Sequence, residues 1–526
     1  MPGKRFLWTC LCCLCVWLSF LPTRGVWAPD EARYAQVASE MKEQGSWLIP
    51  SLNQRLYTQK PPLFFDLVKL SASFSDGVPE WAVKVPSLLA ALLALAMVSL
   101  IGVRLMGPHG AWMPPLILGT MFKFSWQAQF GQIDMVIVAL VAAQIALGMR
   151  LASGAGRRWI GISGMILLGF AGVLSKGPVG CLLPWLILAA YLSIKRDWPG
   201  LRRAGLHWIV PGVALMSAAW LGLAFAAQGE DYIRALVLKQ SVERYLNPWH
   251  HKAPVYYYLG IFWSDGLPYS LLLVPMVLPL ARKKTWLEPG ALLPLVWMGA
   301  YLLFFSFSAG KRSVYILPLF PAMALLVAYG LLNIDMERWR REGLRRASFL
   351  IAALFLVAVP FLVFKAPAGF RSLVPWVAGG LVLLAAGFIA AGILVEKGKT
   401  SRSLAAMALG SMLFLLVGAL PVVVALDAVK TPRALAAAVK PPLDRGAVLA
   451  VYPSLIPSLD YYARTRTRVF PKGQEEAAVA YLQGGGGHLL VVDRDVWKAG
   501  VPEGCRDAGT FTIGDNHYIL LSGPTS

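Results

Sequence analysis

Residues 337–364 read "ERWRREGLRRASFLIAALFLVAVPFLVF": five arginines within ten residues, then eighteen residues without a charge. A helix of that length crosses a hydrocarbon core of about 30 Å. Clustered arginines hold the flank they occupy on the cytoplasmic side. The stretch therefore predicts a membrane span entered from the cytoplasm, and the same alternation repeats along the chain. Apolar runs occur near 6–22, 82–103, 112–124, 134–149, 159–174, 178–194, 207–227, 255–280, 290–307, 314–332, 347–364, 374–395 and 403–425. The fold expected from these thirteen runs is an α-helical polytopic membrane protein.

Bulk composition agrees. Of 526 residues, 57% are hydrophobic and 15% charged, against about 25% charged in a soluble globule. The formal charge of +21 resides in short clusters between apolar runs, which excludes a nucleic-acid partner and fits the positive-inside rule. Cys10, Cys12, Cys13 and Cys15 crowd the first run, Cys181 lies in another and Cys505 stands alone. No disulfide framework or metal spacing follows from that arrangement.

Phe6–Leu21, led by Lys4 and Arg5, is short enough for a cleaved signal peptide, but Thr23, Arg24 and Gly25 make a poor cleavage site. It reads as a retained first span with a cytoplasmic N-terminus. Every second connection should then be cytoplasmic, and "RLMGPHG", "MRLASGAGRR", "KRDWPGLRR", "ARKK", "ERWRREGLRR" and "EKGKTSR" are nearly all short and basic. The opposite set holds the long loops 24–81 and 228–254 and the tail after Asp427, which thirteen spans place outside, in the periplasm of a bacterial inner membrane. From Thr431 the texture changes. "RGAVLAVYP", "TRVF", "HLLVVD" and "HYILLSG" read as strands, separated by helix-like "PRALAAAVK" and "GQEEAAVAYLQ". The expected organisation is a transmembrane domain, 1–426, followed by a soluble α/β domain, 427–526. The "GGGG" at 484–487 lacks the Lys-Ser/Thr of a phosphate loop and reads as a turn.

The external loops hold the chemistry. In "WAPDEARYAQVASEM", 27–41, Pro29 and the acids Asp30 and Glu31 match ordinary helix-start chemistry, and Tyr34, Val37, Ala38 and Met41 follow at helical spacing. In "LYTQKPPLF", Lys60 precedes two prolines that bar a helix across it and hold its backbone extended. Lys176 in "LSKGPVG", Arg244 in "VERYL", and Lys311, Arg312 and Tyr315 in "SAGKRSVYILP" add basic and phenolic groups on the same outer side. Each has a plain reading as an interfacial anchor. Together they run against positive-inside bias and suit an anionic lipid headgroup. Asp134, in "GQIDM", sits at the outer mouth of an apolar run, where a carboxylate either caps the helix or serves function. Acids and cations on one face suit phosphate-linked sugar chemistry: a carboxylate takes the acceptor's proton while cations hold the departing phosphate.

"DEARYA" (30–35), "QKPPL" (59–63), "GQIDM" (131–135), "LSKGP" (174–178), "ERYLNPWHHKAPVYYY" (243–258) and "GKRSVYILP" (310–318) occur in the order seen in the aminoarabinose transferase and protein mannosyltransferase superfamily, which the chain resembles over essentially its whole length. The resemblance implies a GT-C fold and a polyprenyl (undecaprenyl) phosphate sugar as donor. It makes Asp30 the catalytic carboxylate, with Glu31 and Arg33 beside it. Lys60, Lys176, Arg244 and Tyr315 would line the pocket for the lipid phosphate, and Asp134 would be the second acid. The acceptor would be lipid A, another glycan or a protein, with membrane lipids around the spans. Two positions depart from the family pattern: Gln59 stands where Glu is common, and Lys239 and Gln240 stand where a His is common. Both missing side chains are good metal ligands, and His250 and His251 alone do not replace them, so no metal or other cofactor is expected. The function expected is an inverting glycosyltransferase. The rival is a lipid-linked-sugar flippase or transporter, for which many spans and buried charges would also serve.

Overall fold

Within hydrocarbon, backbone polar groups must be satisfied inside the segment, so each uncharged run has to form a helix unless protein encloses it. The computed structural model describes residues 2–236, 253–276, 285–332, 338–485 and 487–524. Among these residues ten helices are long and apolar enough to cross a membrane. They correspond to ten of the thirteen runs. The run 178–194 forms the shorter Val179–Ile194 helix, and the other two are broken.

Both breaks have the same physical basis. The run 112–124 divides into helices Met113–Thr120 and Phe122–Ala128 at Met121, whose ψ of 134° is extended. The run 255–280 forms the Tyr257–Asp265 helix and a 3₁₀ turn, Ser270–Leu273, with a cis bond between Leu267 and Pro268. Protein groups satisfy the backbone left open at each break: Ser125 Oγ donates to Gly119 O at 2.7 Å, Ser270 Oγ donates to Trp263 O at 2.7 Å, and Phe122 N donates to Leu267 O at 3.1 Å. Irregular backbone in an apolar setting is tolerated under that condition.

The chain forms two compact units. The first contains Met1–Leu21, Thr58–Phe64 and Val85–Val422. Its centre is formed by Ile133–Ala152 and Ser313–Leu332, 83% and 89% buried, whereas Trp198–Arg234 and Arg341–Lys365 are 22% buried and leave their sides to lipid.

The second unit contains Pro22–Tyr57, Phe65–Lys84 and Val423–Ser526. It joins a five-stranded sheet to the helix Asp30–Glu43 and a hairpin of β1 (Ser51–Leu52) and β2 (Arg55–Leu56). Strands β3 (Val448–Tyr452), β4 (Arg468–Val469), β5 (His488–Asp493), β6 (Arg506–Ile513) and β7 (Asn516–Ser522) lie in the order β4-β3-β5-β7-β6. β3 runs parallel to β4 and β5, with Leu449 opposite Leu489 and Val451 opposite Val491. β7 is antiparallel to both its neighbours. Successive side chains of a strand point to opposite faces, so Leu449 and Val451 pack with Leu435, Val439 and Leu459 on one face. Ala450 and Tyr452 pack with Ala478 and Leu482 on the other. The expected strands and the helices Arg433–Asp444 and Glu475–Gln483 are present; of the expected four-glycine turn, Gly484 and Gly487 are in turn conformation and residue 486 lies outside the described residues. The helix Pro457–Ala463 and strand β6 are additions to the elements expected from sequence.

Candidate active site

In the second unit, a turn enters the Asp30–Glu43 helix through a buried ionic frame. Pro29 precedes the first helical residue as its N-cap and offers no side-chain cap, so the first turn needs other partners. Glu31 supplies one. Its Oε2 accepts from Trp27 N at 2.9 Å and from Arg24 Nη1 at 2.6 Å, while its Oε1 accepts from Arg24 Nη2 at 3.1 Å. Neither side chain of this pair is exposed. Lys84 Nζ donates to Arg24 O at 2.5 Å. Asp427 accepts from Gly25 N at 2.6 Å and from Trp27 Nε1 at 2.8 Å, and it pairs with Arg433 at 2.9 Å, which also pairs with Glu80 at 2.7 Å. Arg24 with Glu31, and Arg433 with Asp427 and Glu80, form ion pairs, and Lys84 joins the frame through the Arg24 carbonyl; the wholly buried Arg24–Glu31 pair meets the condition under which buried charge is tolerated.

Asp30 opens the helix from this frame. Its side chain is 12% exposed, and Arg33, one turn on, is 26% exposed at 3.8 Å. The place of Asp30 in the first turn sets it at the positive end of the helix dipole, where a carboxylate is favourable.

The first unit gathers three further residues. Asp134 lies in the first turn of Ile133–Ala152 and Lys176 in the last turn of Arg158–Lys176. Lys176 Nζ meets Asp134 Oδ1 at 2.5 Å and lies 4.8 Å from the ring centre of Tyr315. Local sequence explains the placement. Gly177 ends the lysine's helix at a φ of 75°, and Gly172 and Gly180 let two backbones approach so closely that a Cβ on Gly172 would lie 2.5 Å from Gly180 O. Lys176 is thereby fixed at a sharp helix end with its ammonium shared between a carboxylate and a π face. Tyr315 lies on the 3₁₀ turn Ser313–Leu319. From that turn Ser313 Oγ accepts from Lys123 Nζ at 3.2 Å, and Lys123 also lies 3.6 Å from Asp265.

Lys60 is half-buried in a bend before the Leu63–Ser71 helix, consistent with the prolines that follow it, and belongs to the first unit. Lys311 is buried, with Nζ donating to Ser308 O. Arg244, His250 and His251 lie outside the described residues. Of the residues singled out from sequence, the structure brings together Asp134, Lys176 and Tyr315 in one unit, and Asp30, Glu31 and Arg33 in the other. Lys123 and Asp265 escaped sequence reading, as did Arg24 and Asp427. The signal available for the first pair was a charge inside each of two apolar runs that also contain helix breakers.

Comparison with known proteins follows the same lines. Residues 59–223 match the dolichyl-phosphate-mannose-protein mannosyltransferase family. The chain is 29% identical over 369 residues to an undecaprenyl phosphate-alpha-4-amino-4-deoxy-L-arabinose arabinosyl transferase of Erwinia tasmaniensis, covering 68% of this chain and 63% of that protein. It is 30% identical over 366 residues to the enzyme of the same name in Pseudomonas paraeruginosa, covering 66% and 63%. The matched stretch thus spans less than two thirds of these relatives' own length. In three dimensions the chain superposes on ArnT from Cupriavidus metallidurans bound to undecaprenyl phosphate with a TM-score of 0.80 at 23% identity, covering 98% of this chain and 97% of that one. The apo form of that protein gives 0.77 at 22% identity. At that identity the likeness establishes the fold.

Proposed function

We propose, from the premise that this chain belongs to the GT-C superfamily of membrane glycosyltransferases that includes the aminoarabinose transferases, that it moves a sugar from a polyprenyl phosphate to an envelope acceptor. The single observation that carries this reading is the Lys176 ammonium held between Asp134 and the Tyr315 ring. It is a cation fixed in place within a helical unit that has the fold of an undecaprenyl-phosphate-bound relative. Undecaprenyl phosphate is the lipid we assign to the donor, and a 4-amino-4-deoxy-arabinose is the sugar that the relatives' names favour. The acceptor is lipid A, another glycan or a protein.

The chemistry follows from the residues. Asp30 accepts the proton of the acceptor's attacking oxygen as that oxygen bonds to the anomeric carbon. The bond from that carbon to the phosphate oxygen breaks, and its electron pair leaves with the polyprenyl phosphate. Attack opposite the leaving group inverts the anomeric centre. Lys60, Lys176, Arg244 and Tyr315 hold the phosphate as its charge grows, which is where fixed cations lower a barrier. Asp134 fixes Lys176, and Glu31 and Arg33 set the environment of Asp30. The reaction takes place on the periplasmic side of the inner membrane, with the N-terminus cytoplasmic and residues 427–526 periplasmic.

The test is transfer by the purified protein in detergent, supplied with polyprenyl-phosphate sugars and envelope acceptors, beside Asp30→Asn. Transfer by the parent and not by the variant supports the reading. Lipid scrambling in liposomes that survives Asp30→Asn, without transfer, would replace it with a flippase. A reporter fused after Thr431 should behave as periplasmic, and cytoplasmic behaviour removes the assignment.

A further inference from the structure

Lys123 and Asp265 are charges inside apolar runs that the proposed transfer chemistry does not use. Each sits at a break in its run. Lys123 lies in the first turn of the Phe122–Ala128 helix, just past the extended Met121, and Asp265 ends the Tyr257–Asp265 helix. The backbones meet beside them, where Phe122 N donates to Leu267 O at 3.1 Å. Lys123 Nζ lies 3.6 Å from Asp265 Oδ2, an oxygen that is buried without a hydrogen bond among the described residues. The ammonium is therefore its electrostatic partner.

Charges in such a setting are costly, and exchanging a buried ion pair for apolar side chains of similar volume is often neutral or stabilising. Stability alone thus gives no reason for a lysine at position 123. What the lysine reaches does.

It reaches the turn that bears Tyr315. Nζ donates to Ser313 Oγ at 3.2 Å, and Ser313 is the first residue of the 3₁₀ turn Ser313–Leu319. The helix that supplies Asp265 holds the same turn a second time, because Tyr258 Oη donates to Arg312 O at 3.2 Å. Tyr258 and Asp265 lie two helical turns apart and so share a face. A 3₁₀ turn is short and has poor hydrogen-bond geometry, so the direction of the Tyr315 ring depends on how the start of the turn is anchored. That ring packs on Phe305, with ring centres 5.5 Å apart, and its centre lies 4.8 Å from the Lys176 ammonium.

We propose that Lys123 is a positioning residue for the lipid-phosphate site. Clamped by Asp265, it fixes Ser313 and so keeps the Tyr315 ring against the Lys176 ammonium, without itself touching the phosphate. Loosening the turn leaves Lys176 oriented by Asp134 alone, and its ammonium then has more orientations to lose when a phosphate binds. The inference rests on the transferase reading for its ligand and extends that site to residues outside it.

Binding of undecaprenyl phosphate to the full chain in detergent, without turnover, tests this. Lys123→Met removes the donor and the charge at similar volume, Lys123→Arg restores both, and Ser313→Ala removes only the acceptor. Tyr315→Ala is measured alone and combined with each of Lys123→Met and Ser313→Ala. The expected result is a Kd raised roughly fivefold to tenfold in Lys123→Met and in Ser313→Ala. Lys123→Arg should bind at near-parental strength, and neither change should weaken binding further once Tyr315 is alanine. That last comparison separates positioning from a general structural role, because a loosened fold weakens binding with or without the ring. If Lys123→Met does not fold, Ser313→Ala carries the same comparison. Parental affinity in either variant when folded, or losses that add to that of Tyr315→Ala, overturns the inference, and binding by the parent then leaves the transferase reading standing. No binding by the parent removes both.

Discussion

Arg24 grips Glu31 through two hydrogen bonds, at 2.6 and 3.1 Å, with both side chains wholly buried. The residue beside Asp30 is thus committed to holding the turn. Breaking a buried pair by deleting one partner strands the other charge, at a cost of about 3–5 kcal/mol. Glu31→Ala should lower the unfolding temperature of the detergent-solubilised protein markedly, whereas Asp30→Asn should leave it near the parental value. Equal stability of the two variants would show that the Arg24–Glu31 pair does not support the fold.

Asp30→Asn retains the shape of the helix start and removes the proton acceptor. General-base contributions are on the order of 10²–10⁴-fold in rate, so turnover should fall by at least roughly a hundredfold while donor KM changes little. Steady-state kinetics with a polyprenyl-phosphate sugar provide the check. A loss confined to KM would make Asp30 a binding group.

The Asp134–Lys176 contact at 2.5 Å predicts strong coupling between the two positions. Charge-assisted hydrogen bonds contribute about 1.5–3 kcal/mol, so Lys176→Gln should raise donor KM by roughly tenfold to a hundredfold. Asp134→Asn should act in the same direction, and the double variant should cost less than the sum of the singles. Strict additivity in a double-mutant cycle would mean that Asp134 does not act through Lys176.

Burial raises the Asp460 carboxyl from an ordinary 3.8 to about 7, with the charge of Glu40 adding to the effect and hydrogen bonds from Thr467 opposing it. Because the folded value lies above the unfolded one, the folded protein binds the extra proton between them. This contribution to stability is complete below pH 3.8 and is lost as the pH rises through about 7. The full span is worth roughly 4 kcal/mol. Asp460→Asn should therefore flatten the fall in unfolding temperature between pH 5 and pH 8, measured in the same detergent. An unchanged slope would show that Asp460 is not the titrating group.

The elements differ in how far sequence alone revealed them. The run 347–364 needs no partner to be a helix in hydrocarbon, since it satisfies its own backbone. Strands β3 and β5 alternate over two buried faces and carry the apolar runs Val448–Tyr452 and 489–492. Strand β6, "RDAGTFTI", is mostly exposed at the sheet edge, so no apolar periodicity marks it. The helix Pro457–Ala463 has seven residues, too few to show a helical repeat, and it is the helix that bears Asp460.

Sequence by itself determined the membrane spans, the strand-rich tail and the helix start at Asp30, because each depends on the hydrophobicity or first-turn chemistry of neighbouring residues. Tertiary structure alone decided that runs 112–124 and 255–280 break and meet at Phe122 and Leu267, and that Lys176 lies against Asp134 and Tyr315. It also decided that Glu31 belongs to Arg24 and that Asp460 is buried. The physical reason is that a charge becomes tolerable in a buried setting through its partner, and a partner distant in the chain becomes a neighbour only when the chain has folded.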